Sequence, residues 1–174
     1  MNIKSVSSLE KILGSHNDAA EINFITALPG ETVSFQIVAD TDEYAFRAQP
    51  KIISALKDHV RLYAVKNTVV DYAKSADIND DDYILTEAGI MPDLLVPTEE
   101  QNGYVVLPYN GCIVIWCELS VPKTAKPGKY DVTVVLSCSQ ASELHETVEL
   151  RKTVTVSVIS QELPKQSVKF TQWF

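Results

Sequence analysis

The strongest constraint on this chain is a period of two. Across 146–159, Val148, Leu150, Val154, Val156 and Val158 share one side of an extended backbone, opposed by Thr147, Glu149, Arg151, Thr153 and Thr155. Only Lys152 breaks the apolar parity. In 129–138 the apolar side is Tyr130, Val132, Val134 and Leu136, against Lys129, Asp131 and Thr133. Side chains alternate across a strand, so each segment has one face to bury and one to wet. A helix would scatter the same residues around its circumference. Each strand therefore needs a second apolar layer opposite it.

The same alternation recurs along the chain. Ile22, Phe24 and Thr26 precede a Pro29-Gly30 turn, and Val33, Phe35 and Ile37 then alternate with Ser34, Gln36 and Val38. Further strands are predicted at 43–48, 60–66, 68–73, 104–108 and 112–120. Residues 1–20 are polar, and 8–13 read as one or two helical turns ending at Gly14. The stretch 74–103, rich in Asp, Asn, Gly and Pro, reads as a long excursion with little regular structure. Loops of that length in a compact domain are usually functional or covered by something. One-faced strands with almost no helix predict an all-β fold, two antiparallel sheets packed as a β-sandwich. The expected organisation is a polar segment over 1–20, the sandwich over 21–163, and a linker over 164–174. The last five residues, Phe170-Thr171-Gln172-Trp173-Phe174, place two aromatics at the end. Chain ends are usually polar and frayed, so these residues are expected to enter a larger body.

An immunoglobulin-like architecture follows from this, but not a true immunoglobulin domain. Cys112, Trp116 and Cys138 occur in the right order, yet Cys112 and Trp116 fall on one predicted strand and one face. Cys112 and Cys117 point to opposite faces of that strand and cannot bridge locally. Reduced, buried thiols are expected, as in a reducing compartment.

With 174 residues and 45% hydrophobic content, the chain can bury a core without metal or disulfide staples. No apolar run reaches the roughly 18 residues of a membrane span, and residues 1–14 lack the apolar stretch of a signal peptide. A cytoplasmic location is the expectation. The formal net charge of −8 argues against nucleic acid and anionic membranes as partners. From Ser75 to Pro122 there is no Lys or Arg, an acidic stretch that reads as a solvated face.

Little in the sequence has the spacing of a reaction centre. Asp77-x-Asn79-x-Asp81 opens like a calcium loop, but Asp82 stands where Gly is needed and Ala88 where the bidentate Glu is needed. His16, His59 and His145 are isolated, and no pair has metal-ligand spacing on one strand face. No Gly-rich phosphate loop and no G-x-S-x-G elbow occur. The carboxylates of 77–100 lack the rigid scaffold that holds a glycosidase pair at fixed separation. No catalytic residue, cofactor or metal site is expected.

One residue stands out. Ile113, Ile115, Cys117 and Leu119 form the core face of 112–120, whereas Trp116 lies on the opposite face with Cys112, Val114, Glu118 and Ser120. A Trp there is either half-exposed or covered by another layer: the long loop, a docking domain, or a sugar stacked on it.

Several segments then fall into a known order. Gly30-Glu31-Thr32-Val33-Ser34-Phe35-Gln36 resembles the GE-x-x-S-x-Q strand of bacterial proteins with the domain of unknown function 4091, relatives of glycoside hydrolase family 123. Met91-Pro92-Asp93-Leu94-Leu95-Val96-Pro97 is similar to that group's YPD-x-L-x-P loop, with Met91 in place of the aromatic. Ile115-Trp116-Cys117-Glu118-Leu119-Ser120-Val121-Pro122 resembles its W-V-x-V-x-V-P strand, and Ala125-Lys126-Pro127-Gly128-Lys129-Tyr130 its A-x-PG-x-Y turn. The segment 170–174 is similar to its lead into a barrel.

The resemblance implies an N-terminal accessory sandwich packed on a (β/α)₈ barrel of the same polypeptide. In family 123 the barrel hydrolyses β-linked N-acetylgalactosamine with an Asp-Glu pair, and no position of this chain matches that pair. The implied contact surface, facing the barrel or a sugar, is Met91, Pro92, Asp93, Trp116, Trp173 and Phe174. The rivals are an autonomous carbohydrate-binding module using Tyr104, Tyr109 and Trp116, and an interaction or adhesion sandwich with no sugar role.

Overall fold

The computed structural model describes residues 1–14, 18–42, 44–71, 86–140 and 147–161. In chain order the strands are β1 (Asn2–Ser7), β2 (Phe24–Ala27), β3 (Thr32–Thr41), β4 (Phe46–Ile53), β5 (Val60–Val70), β6 (Gly89–Pro97), β7 (Val105–Leu107), β8 (Gly111–Ser120), β9 (Gly128–Gln140) and β10 (Val148–Val158). They form two five-stranded sheets, ordered β1-β3-β8-β5-β6 and β2-β10-β9-β4-β7. The sheets pack face to face as a β-sandwich.

Parity decides which side chains meet between them. Phe35 and Ile37 of β3, Ile115, Cys117 and Leu119 of β8, and Leu62 and Ala64 of β5 face Val132, Val134, Leu136, Val154 and Val156 from the second sheet. Most of these are fully buried, which is where the apolar alternation finds its second layer. The pattern weakens at the start of β10, where Val148 is exposed at the end of its ladder with β9.

One pairing departs from the antiparallel expectation. β2 runs parallel to β10, with Thr155 opposite Phe24 and Val158 opposite Ala27. The cause lies just before it. The Ile22 N–H donates to the Ser5 carbonyl at 2.8 Å, and the Asn23 carbonyl accepts from Thr155 N at 3.0 Å. Residues 21–23 thus leave the edge of the first sheet and join the edge of the second in the direction β10 already runs. The Lys152–Glu21 ion pair lies at the same seam.

Several local expectations are corrected. Residues 2–7 of the expected polar segment form β1, which pairs with β3 and belongs to the sandwich. Part of the excursion at 74–103 is regular: 89–97 is strand β6, followed by a 3₁₀ turn at Thr98–Gln101. Two prolines and a bulge had hidden its period. The strands expected at 60–66 and 68–73 are one, β5, because the irregularity is taken up by β6. Residues 8–13 form no helix and run as irregular chain over the outer face of the first sheet. Residues 77–81, His16, His145 and 170–174 lie outside the described residues.

The Pro29-Gly30 turn shows why this sequence enters β3 cleanly. Glu31 N donates to Leu28 O at 3.0 Å, with Gly30 at φ +84° in the third position of a type II turn. The Glu31 carboxylate accepts from Leu28 N at 2.7 Å, and Gly30 N donates to Val121 O at 2.9 Å. A Cβ at Gly30 would also meet Lys123 Cγ at 3.1 Å. Gly30→Ala is expected to cost about 1–2 kcal/mol, the penalty of a left-handed conformation for an L residue. Urea denaturation measures it, and an unchanged midpoint would contradict this turn.

Candidate ligand cleft and docking face

β3 and β8 are buried on both faces, which a simple two-layer sandwich does not require. Val38 and Val114 face away from the inter-sheet core, and with Val6 and Ile12 they form a second apolar cluster. Ile12 comes from the segment after β1, which crosses the outer face of the first sheet as a strap.

Polar groups fix the strap at both ends. Gln36 is only 4% exposed, and its Nε2 donates to Ser7 O at 2.9 Å and Glu10 O at 2.8 Å. Lys11 Nζ reaches β6, donating to Asp93 Oδ1 at 3.0 Å and Pro92 O at 3.1 Å. Beyond Ile12, the Cys112 thiol donates to Gly14 O.

Asp93 is available to Lys11 because of a bulge. Lys66 pairs with Leu94 and Asn67 with Pro92, so Asp93 lies unpaired opposite the step between them. Bulges re-aim side chains and disturb the ladder locally. Edge strands also gain protection from Pro and charge against pairing with other chains, and Pro92 and Asp93 supply both on β6.

Trp116 lies on this outer face, in register with Gln36 of β3 and Tyr63 of β5. It is partly buried and borders a cleft of about 230 Å³ with Ser8, Glu10, Lys11, Pro92 and Leu95. Its Nε1–H is buried and has no acceptor among the described residues. A second hollow of about 410 Å³ on the same face is lined by Ile12, Asn67, Cys112 and Val114. Past the cleft the apolar surface continues along the β5–β6 edge, where paired Val69 and Ile90 are 70% and 61% exposed.

The structure brings together Pro92, Asp93 and Trp116 of the six residues expected at a contact surface. Met91 alternates with Pro92 along β6 and pairs with Thr68, which puts it on the other face. Trp173 and Phe174 lie outside the described residues. Trp116 is on the outer face of the first sheet, whereas Tyr104 and Tyr109 flank β7 at the edge of the second. Those three aromatics therefore do not make one row. Lys11, Glu10 and the tying role of Gln36 were missed. A buried amide inside an otherwise apolar strand was the signal for Gln36.

None of the cysteines is poised for nucleophilic chemistry. Burial pushes all three thiols up, with the Asp40 carboxylate adding to the rise at Cys112, so the thiol form is held at neutral pH. Among the described residues, no cluster of three or more His, Cys, Asp or Glu could hold a metal ion.

Neither a protein-family model nor a curated protein matches the chain. Among solved structures it is similar to a family 123 glycoside hydrolase from Clostridium perfringens, with TM-score 0.60 and 14% identity over 83% of this chain and 24% of that one. The chain thus spans about a quarter of that hydrolase's length, and the likeness is one of fold. PapD-like domain 7 of human CEP192 gives TM-score 0.40 at 14% identity, over 82% of this chain and 84% of that one. The sporulation control protein Spo0M of Bacillus subtilis gives 0.38 at 13% identity, over 90% and 50%.

The two strap attachments should differ in weight. Lys11→Ala removes a half-exposed ion pair, worth about 0–1 kcal/mol. Gln36→Ala strands the Ser7 and Glu10 carbonyls beside a buried hole and is expected to cost about 1–3 kcal/mol. Equal losses in urea denaturation would contradict the strap geometry.

Proposed function

We propose that this chain is a non-catalytic accessory β-sandwich of a glycoside hydrolase resembling family 123, packed beside a (β/α)₈ catalytic barrel of the same polypeptide. The observation that carries the reading is the fold likeness to part of the Clostridium hydrolase, which spans most of this chain. The ordered motifs agree with it, and the fold gives several of them physical work. Gly30 and Glu31 build the turn into β3, and Gln36 ties the strap. The Tyr130 hydroxyl donates to Lys126 O at 2.8 Å across the Pro127-Gly128 turn. Pro92, Asp93 and Trp116 border one cleft.

The chemistry of the described surface supports an accessory role. Two carboxylates, Glu10 and Asp93, border the cleft, but Glu10 rides on the irregular strap and Asp93 is engaged by Lys11. A glycosidase pair needs a fixed separation set by rigid elements. The exposed, paired Val69 and Ile90 on the β5–β6 edge are the side offered to the barrel, since exposed apolar surface marks interaction sites.

The test joins the gene to an assay. The codons after Phe174 should continue into βα repeats with an adjacent Asp-Glu, and the extended protein should hydrolyse an aryl β-N-acetylgalactosaminide while this chain alone does not. A frame closing at Phe174 overturns the reading. So does turnover by the isolated chain that survives repurification and is lost on substitution within it.

A further inference from the structure

We propose that the cleft at Trp116 is a binding subsite for a single neutral, polyhydroxylated six-membered ring. The inference needs no barrel and stands apart from the accessory-domain reading.

Size sets the first limit. A cleft of about 230 Å³ is below the roughly 300 Å³ at which drug-sized pockets begin. It has room for one ring and not for an extended chain.

The lining sets the chemistry. Trp116, Leu95 and Pro92 give the cleft an apolar wall, while Gln36, Glu10 and Asp93 give it a polar one. Both amide protons of Gln36 are spent on the strap carbonyls, so only its Oε1 acceptor remains to offer. Ionised carboxylates accept and do not donate. Ser8 and Lys11 add donors to the same rim, so the ligand that fits brings both donors and acceptors on one edge and an apolar face on the other, which describes a pyranose with its hydroxyls and C–H face. Phosphate and uronate would meet one ammonium, Lys11, already paired with Asp93, and a rim left net negative by Glu10, and are disfavoured. A quaternary ammonium brings no N–H or O–H for the Gln36 and Glu10 acceptors and leaves them unmatched.

The indole N–H supplies an independent pointer. A buried donor with no acceptor costs about 1–3 kcal/mol, so such groups call for an explanation. A ring oxygen, hydroxyl or acetamido carbonyl would give this one its partner. The N–H lies beneath the accessible surface, and Ser8, Glu10 and Lys11 border the cleft beside Trp116, so seating a ring on it requires those side chains to move. The nearer attachment, Lys11 to Asp93, is a half-exposed pair that yields at little cost.

The test follows that N–H directly. In the Trp173→Phe variant Trp116 is the only indole, and its Nε1–H signal is read by ¹H–¹⁵N NMR. The probes are methyl glucoside, methyl galactoside, a methyl N-acetylhexosaminide, tetramethylammonium and inorganic phosphate. At least one sugar should move the signal saturably in the millimolar range, together with the amides of Lys11 and Asp93. Trp116→Phe, with its dispersed spectrum retained, should weaken those Lys11 and Asp93 shifts about tenfold or more, equal to 1.4 kcal/mol. No saturable sugar response, a response only to tetramethylammonium or phosphate, or undiminished binding by Trp116→Phe would overturn the proposal.

Discussion

Gln36 carries the constraint on which the outer layer depends. The inter-sheet core needs only one apolar face from each strand, yet β3 and β8 also turn Val38 and Val114 outward. Leaving those valines wet would forfeit about 25 cal/mol for each Å² of apolar surface. The segment after β1 covers them, and an irregular segment cannot satisfy its own carbonyls. Gln36 accepts that role with two donors from one amide. Ile12 can then pack inward while Glu10 and Lys11 point to the cleft.

The far side of the strap rests on a defect in β6. Without the bulge, Asp93 would take its turn in the alternation, and the carboxylate would not be set apart for Lys11. The same strand is an edge, and Pro92 reduces its capacity to pair with another chain. Protection, strap attachment and one wall of the cleft thus arise from two adjacent residues. The attachment is unequal by design of its parts: buried and bidentate at Gln36, half-exposed and ionic at Lys11.

Much of the fold was legible because alternation is a direct consequence of strand geometry. Val132, Val134, Val154 and Val156 fell where parity placed them. Trp116 was placed off the core face by the same count. What escaped was whatever breaks the period. β6 reads as a loop because Pro92, Asp93 and Pro97 interrupt its alternation, and a bulge shifts parity partway along. β1 and the strap were hidden because a second apolar layer of only a few residues leaves no periodic trace. The parallel entry of β2 depends on a crossing between sheets, which no local pattern encodes. The cleft itself unites residues from β1's strap, β3, β6 and β8, so no single stretch of sequence could announce it.

Gln36 holds the strap on the outer face, where Ser8, Glu10 and Lys11 border Trp116 and partly shield it. Acrylamide quenching of Trp116 in the Trp173→Phe background measures that shielding directly. Quenching should be clearly slower than for free tryptophan and should rise when Gln36→Ala is added, with the inter-sheet core still folded by circular dichroism. Quenching as fast as free tryptophan, or a value unmoved by Gln36→Ala, would contradict the claim.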